Sequence, residues 1–227
     1  MKSLFNKLML FALKTILRAH SFTYRWAGRL SKKFEKDGLH PKHRIMNYHK
    51  FFVDNINDGD KVLDIGCGNG ALTYDVAKKA KKVVGIDFSE RNISFAKEKF
   101  SGTNIQYICG NALTDLPNER FDVIMLSNVL EHIDKRVEFL KALKIRAPKF
   151  LIRVPMLNRS WIDLYKKELG LEYRLDRTHF IEYTLEGFEE ELAKAGLRIL
   201  DYSIQFGEIW TEIINKELES DKNGRDR

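Results

Sequence analysis

A mostly parallel α/β fold is what this 227-residue sequence predicts, and three observations carry the prediction. Short apolar runs rich in β-branched residues alternate along the chain with helical patterns, which is the signature of a sheet covered on both faces. The first run, Val62, Leu63 and Ile65, ends in a glycine-rich turn, Gly66-Cys67-Gly68-Asn69-Gly70. A second run over residues 83–86 ends in Asp87, nineteen residues past Gly68. Strand, glycine turn and helix open the nucleotide-binding α/β folds. Glycine lets the backbone approach a ligand there, and an acid some twenty residues on suits ribose hydroxyls.

The elements follow in order. Residues 3–18 read as a helix with Lys7, Lys14 and Arg18 on one narrow face and Leu4, Phe5, Leu8, Phe11, Ala12 and Ile16 around the rest. Its longest apolar run, residues 8–13, is far short of the ~20 residues that span a bilayer. Lys14 interrupts the run and no small-residue cleavage site follows, which argues against a cleavable signal,. Residues 22–36 continue with aromatics among cations until Gly38 and Pro41 break the helix; residues 42–56 resume it, with Ile45, Tyr48, Phe52 and Ile56 at helical spacing,.

Beyond the glycine turn, Leu72, Val76 and Ala80 give a helix face. Ser89 caps the next helix, which carries Ile93, Ala96 and Phe100,. Residues 104–108 are a third strand, 110–117 a loop and 121–126 a fourth strand. A helix through Val129 or Leu130, Ile133, Val137 and Leu140 leads to a fifth strand at 150–154, stopped by Pro155. Residues 156–183 interrupt the alternation with a short helix at 161–169 and an irregular stretch. Thr184 caps a further helix closed by Gly196, and segments 197–204 and 206–214 suit a final antiparallel pair,. The tail from Glu217 is polar.

Charge is unevenly spread. Residues 1–50 hold twelve Lys/Arg against Glu35 and Asp37, a net +10, whereas the whole chain is +7 and residues 51–227 sum to −3. A basic front end on an acidic body points to an anionic surface, membrane or nucleic acid. Two cysteines make no disulfide framework, and a reducing compartment is expected,.

Residues 61–70 (KVLDIGCGNG) and 83–90 (VVGIDFSE) resemble motif I and the ribose-acid motif of class I S-adenosylmethionine (SAM)-dependent methyltransferases. The glycines are spaced G-x-G-x-G, and Asp64 stands where a carboxylate repels phosphate and suits a cationic ligand,. Residues 110–117 resemble the family's adenine loop, and 121–133 (FDVIMLSNVLEHI) its fourth-strand motif. The resemblance covers about residues 41–215, behind a basic helical extension at 1–40 and ahead of a polar tail at 216–227. It implies a Rossmann-like seven-stranded sheet with helices on both faces, and an enzyme using SAM. In the family's strand order one strand separates Cys67 from Cys109, too far for a bridge.

The resemblance also implies roles. Gly66, Cys67 and Gly68 would contact the methionyl part through backbone, and Asp64 would order its amino group. Asp87 would hold both ribose hydroxyls, Phe88 stack on adenine, and Asn111 and Ala112 address the adenine edge. Ser127 and Asn128 would sit where the methyl donor meets the acceptor. A hydroxyl acceptor also needs a base. His179, with Asp176 three residues earlier to orient it, and His132 are the candidates. Some members bind Mg²⁺ through E-x-x-E-H. Here Asn128-Val-Leu-Glu131-His132 lacks the first carboxylate, so no metal is expected,.

Trp161, Tyr165, Tyr173, Arg174, Arg177 and His179 in the insertion suit a sugar, a phosphorylated head group or a flat ring. The expected reaction is O-methylation of a sugar or lipid-linked glycan at the cytosolic membrane face, with residues 1–36 meeting an anionic membrane. An RNA or quinone-type small-molecule acceptor and a non-catalytic SAM-binding scaffold are the competing readings. A homodimer or packing onto its own domain are the competing uses of the first helix.

Overall fold

The computed structural model describes residues 2–35 and 40–215. The chain begins with α1 (Lys2–Ser31) and a 3-10 turn (Lys32–Phe34), then α2 (Lys42–Met46) and α3 (Tyr48–Asp54). The body follows as β1 (Lys61–Ile65), α4 (Ala71–Ala77), β2 (Lys82–Asp87), α5 (Glu90–Lys99), β3 (Ile105–Cys109) and β4 (Val123–Ser127). It closes with α6 (Arg136–Lys144), β5 (Lys149–Pro155), α7 (Trp161–Glu168), α8 (Leu185–Ala195), β6 (Leu197–Gln205) and β7 (Glu208–Asn215).

The seven strands lie in the order β3-β2-β1-β4-β5-β7-β6. The first five are parallel; β7 runs antiparallel to both β5 and β6. Strand period fixes which helix each side chain meets. Leu63, Ile65, Val84, Ile86, Ile124, Leu126, Phe150 and Ile152 face one way, onto Leu140 and Leu143 of α6 and Phe188 and Leu192 of α8. Val62, Val83, Val123, Met125 and Leu151 face the other way, onto Phe52 of α3 and Leu72 and Val76 of α4. The order reverses between β1 and β4, and the crevice at that reversal, beyond the strands' carboxyl ends, is where such sheets bind ligands.

Most expected elements appear within a residue or two. Ser89 and Thr184 cap α5 and α8 by accepting from the N–H groups of Asn92 and Gly187, and Gly196 ends α8 at φ +80°. Three expectations need correction. The helix expected to continue through residue 36 ends at Ser31, where the 3-10 turn takes over and Glu35 is extended. The helix expected over 42–56 is two, because Asn47 turns left-handed (φ +47°) between α2 and α3. The helix expected from Val129 to Leu140 is a 3-10 turn (Leu130–His132) followed by α6, with Ile133 extended between them. Cys67 and Cys109 are both free, with β2 between their strands. The expected polar tail, 216–227, lies outside the described residues.

Gly70 locks the first turn onto its neighbours. Its φ is +82°, and a Cβ there would lie 2.7 Å from both Ala96 Cβ and the Tyr107 hydroxyl. Gly70→Ala is therefore expected to destabilise the protein by about 2–4 kcal/mol, from left-handed strain plus overpacking. Urea denaturation measures it, and a change under ~0.5 kcal/mol contradicts this packing.

Candidate active site

The turn after β1 is bonded onto β2. Gly66 N–H donates to the Ile86 carbonyl at 2.8 Å. Gly66 sits at φ +67°, and a Cβ there would come 2.5 Å from Val129 Cγ2, so only glycine lets the loop after β4 close against it,. Asp87, at the end of β2, accepts from Gly68 N–H (3.0 Å) with one oxygen and from Ser89 N–H (2.8 Å) with the other. Its carboxylate is thereby aimed before any ligand arrives. Beside it the Phe88 ring is 88% exposed, an unusual position for so large an apolar surface,. Asn111 uses its side-chain oxygen to accept from Leu113 N–H (2.8 Å), while its own N–H donates to Asp115 (2.7 Å). That Asx turn shapes the loop, and Asn111 and Ala112 line the cleft through it,.

Two residues expected at the ligand are set behind the turn. Asp64 is fully buried and accepts from the Thr73 hydroxyl at 2.6 Å, at the start of α4. Burial raises its pKa to about 7; the Thr73 hydrogen bond opposes the rise and the nearby Asp87 charge adds to it. Cys67 is buried too, and desolvation pushes its thiol well above the ordinary range. Neither side chain lines the open cleft.

The other end of the cleft gathers the histidines. His132 and His179 meet edge to face with ring centroids 4.7 Å apart. His132 Nδ1 lies 3.0 Å from Thr178 Oγ1, and that hydroxyl donates to Asp176 at 2.8 Å. His179 Nδ1 lies 3.1 Å from Glu182 Oε1. This corrects the expected pairing: Asp176 orients His132 through Thr178, and the carboxylate at the His179 ring is Glu182. Glu182 is itself buried, ion-paired with Arg159 and accepting from Leu175 N–H at 2.6 Å. Burial, then the His179 charge, holds the His132 pKa below its ordinary value. Arg174 is clamped by Glu172 and donates to the His179 carbonyl at 2.6 Å.

Under these rings lies Glu131, 0% exposed, with neither carboxylate oxygen hydrogen-bonded. Burial lifts its pKa to about 8. Glu131, His132 and His179 each offer a ligand atom within 4.8 Å of the others. Asn128, at the position of the absent carboxylate, is held elsewhere. At φ +56° it accepts from Arg153 Nε (2.8 Å) and donates to Glu208 (3.3 Å). Ser127 ends β4, half-buried beside it.

One cleft of about 1010 Å³ joins the two ends: Asp87, Phe88, Asn111 and Ala112 on one side, Asn128, His132, His179, Arg174 and Arg177 on the other. Residues 62–145 match the family described as a methyltransferase domain. The chain carries a methyltransferase domain over these residues. Among curated relatives, the ubiquinone biosynthesis O-methyltransferase of Rhizobium etli is 34% identical over 155 residues, 63% of this chain and 62% of the relative. That of Bradyrhizobium diazoefficiens is 36% identical over 120 residues, 52% of this chain and 47% of the relative. The chain thus spans between about half and three-fifths of these relatives' length. Solved structures share the fold. A putative SAM-dependent methyltransferase from Listeria monocytogenes has a TM-score of 0.58 at 22% identity, covering 75% of this chain and 99% of that one. The N-methyltransferase NodS of Bradyrhizobium japonicum, solved with S-adenosylhomocysteine (SAH), has 0.57 at 16%, covering 77% and 87%.

The methyltransferase domain has room for its cofactor where the family would hold it. A Cβ at Gly68 would meet nothing nearer than the Gly66 carbonyl at 4.0 Å, so the turn faces open space beside the aimed Asp87 carboxylate and the free Phe88 ring.

Reading by motif missed Glu182 and the buried Arg153–Glu208 pair (3.3 Å). The second left a signal, since an arginine inside the apolar strand run 150–154 demands a buried partner,. The first left only a carboxylate three residues past His179.

Asp64 makes the ligand-free domain sensitive to pH. Its folded pKa, about 7, lies above the unfolded 3.8. Its contribution is therefore full below the unfolded value and is lost as pH rises toward 7, by up to about 1.4 kcal/mol per pH unit. Asp64→Asn should remove that slope, so the wild-type-minus-variant stability difference falls between pH 5 and 7. Urea titrations at a series of pH values check this; a flat difference would show that Asp64 is ionised throughout.

Proposed function

We propose that this chain transfers a methyl group from SAM to a hydroxyl oxygen on the ring of a small quinone-type acceptor. One observation carries the reading: the aimed ribose acid and the paired histidines line the same cleft. The relatives from Rhizobium etli and Bradyrhizobium diazoefficiens are O-methyltransferases of ubiquinone biosynthesis, which supports the quinone-type alternative; the sugar or lipid-linked glycan expected first gains no support from them. Apolar Val129, Ile133, Phe139 and Phe180 on the acceptor side suit a flat ring.

Bound SAM supplies an electrophilic methyl on a sulfonium. The chain supplies alignment, exclusion of water and a proton acceptor. Asp87 grips the ribose by charge-assisted hydrogen bonds. With His179 Nδ1 engaged by Glu182, Nε2 is left to take the hydroxyl proton, and the buried carboxylate steadies the imidazolium that results,. His132, its Nδ1 on Thr178, is the second ring against which the acceptor oxygen rests.

A second reading of the same corner rests on the unpartnered Glu131 oxygens. Glu131, His132 and His179 would hold a divalent cation, which would compensate the buried carboxylate and polarise the acceptor oxygen,. The two readings separate cleanly. Uptake of Mn²⁺ by the EDTA-treated protein, seen by calorimetry and lost in Glu131→Gln, would favour the cation; its absence leaves His179 as base.

The function is tested with a panel of dihydroxylated quinone precursors and free sugars as acceptors, with SAM as donor. Methylation of the ring compounds, with His179→Ala lowering kcat about 10²-fold or more and SAH affinity unchanged, is the expected result. Asp87→Ala should weaken SAH binding about 10–100-fold by calorimetry. Turnover of sugars alone, or an Asp87→Ala protein that binds SAH normally, would overturn the proposal.

A further inference from the structure

The two sides of α1 have different surroundings. Leu17 is 4% exposed, and Ser21, Arg25, Gly28 and Ser31 follow it at helical spacing, half-buried. This side is held by the domain: His20 Nδ1 lies 3.2 Å from Lys166 Nζ of α7, and a Cβ on Gly28 would come 2.8 Å from His40 Nε2. Nine residues are about two and a half helical turns, so residues nine apart point in opposite directions. Leu8 and Trp26 are each nine from Leu17, Ala19 is nine from Gly28, and Leu30 is nine from Ser21. The domain-facing stripe therefore has an apolar stripe at its back. Leu8 is 64% exposed, Phe22 56% and Trp26 44%, with Leu4, Phe11 and Ile16 exposed beside them. From Leu4 to Leu30 this face is roughly 40 Å long.

A third stripe runs along its edge. Lys7, Lys14, Arg18 and Arg29 are spaced by seven, four and eleven residues, which keeps them on one line of the helix, and α1 contains no Asp or Glu,. No helix among the described residues is long and apolar enough to cross a membrane. A second copy laid face to face and antiparallel would set this cation line against itself, with no carboxylate on the helix to meet it,.

We propose that α1 docks this molecule onto an anionic lipid surface, with the Leu8–Trp26 face sunk among the acyl chains and the Lys7–Arg29 line on the head groups. The docking orients the cleft as well. The inner side of α1 borders a second cavity, of about 350 Å³, whose lining includes Lys166 and Arg174, and Arg174 also lines the main cleft at its acceptor end. A lipid-borne acceptor is then presented beside the histidines. The docking itself does not depend on the methyltransferase reading.

The test is flotation of the full chain with vesicles of phosphatidylcholine, alone or mixed with phosphatidylglycerol. Binding about ten-fold or more tighter to the anionic vesicles, weakened by salt, is expected. The double variant Leu8→Asp/Phe22→Asp should lose binding at least about ten-fold. Lys7→Glu/Lys14→Glu/Arg18→Glu should abolish the preference for phosphatidylglycerol. Trp26 emission should shift to the blue on binding, against a background from Trp161 and Trp210 measured in Trp26→Phe. SAH calorimetry on each variant reports whether the fold is intact; a wild-type chain that docks but takes up no SAH counts against the methyltransferase reading alone. Absence of vesicle binding overturns the proposal. So does a dimer in lipid-free solution that Leu8→Asp/Phe22→Asp dissociates, or salt-sensitive RNA retention that exceeds vesicle binding.

Discussion

The Asp87 carboxylate is the interaction on which the site depends. It accepts one backbone N–H from the glycine turn after β1 and another from the cap of α5. Two segments far apart in sequence are thus pinned to one side chain, at the point where the strand order reverses. An ionised carboxylate satisfied in this way is held in position without a ligand, and the ligand meets a preformed grip. The glycines serve that arrangement. Gly66 lets Val129 close against the turn and Gly70 lets α5 and Tyr107 approach, so the turn is clamped from both sides while Gly68 faces open space.

The acceptor end is built on a different principle. Buried charge is concentrated there: Arg153 and Glu208 pair across β5 and β7, Tyr48 lies 3.6 Å under the Arg153 guanidinium, and Asn128 bridges both. Arg153 Nη1 and both Glu131 oxygens remain unpaired. Such groups are costly in a core unless the site uses them. Their position directly behind the His132–His179 rings gives that cost a use, because an unpaired carboxylate beside two imidazoles can take a cation or a proton, whichever the substrate complex brings.

Sequence alone made the geometry of the glycine turn and Asp87 far more legible than that of the His132–His179 corner, for a physical reason. Backbone turns that need glycine and an acid at a strand terminus impose residue types at fixed spacing, so residues 61–70 and Asp87 could be read directly. The acceptor end is assembled from a 3-10 turn, an irregular loop and a strand edge, and its pairings depend on how the loop folds back. Asp176 and Glu182 each lie three residues from His179, yet Thr178 carries Asp176 to His132 and Glu182 takes the His179 ring. Asp64 differs in another way. Its position in the motif was right, but the Thr73 hydroxyl offered a closer partner than the cleft does. The restart at Pro41 was legible, the expected break at Gly38 lies outside the described residues, and the break at Asn47 was invisible, because an asparagine there adopts the left-handed conformation that glycine usually supplies,.

The first helix shows what composition can and cannot say. Its basic, apolar character announced an anionic partner but left open whether its own domain would cover the apolar face. The structure removes one of those alternatives, since the domain holds only the Leu17–Gly28 side and leaves the Leu8–Trp26 side bare. What remains follows from sign. The body of the chain, residues 51–227, carries a net −3, and the helix carries no acid at all. A surface that repels the body and attracts the helix would hold the molecule by α1 alone. The insertion packed against that helix also supplies Arg174 to the cleft, so under the proposed lipid docking α1 would set both the molecule's distance from the surface and the position of its histidine corner.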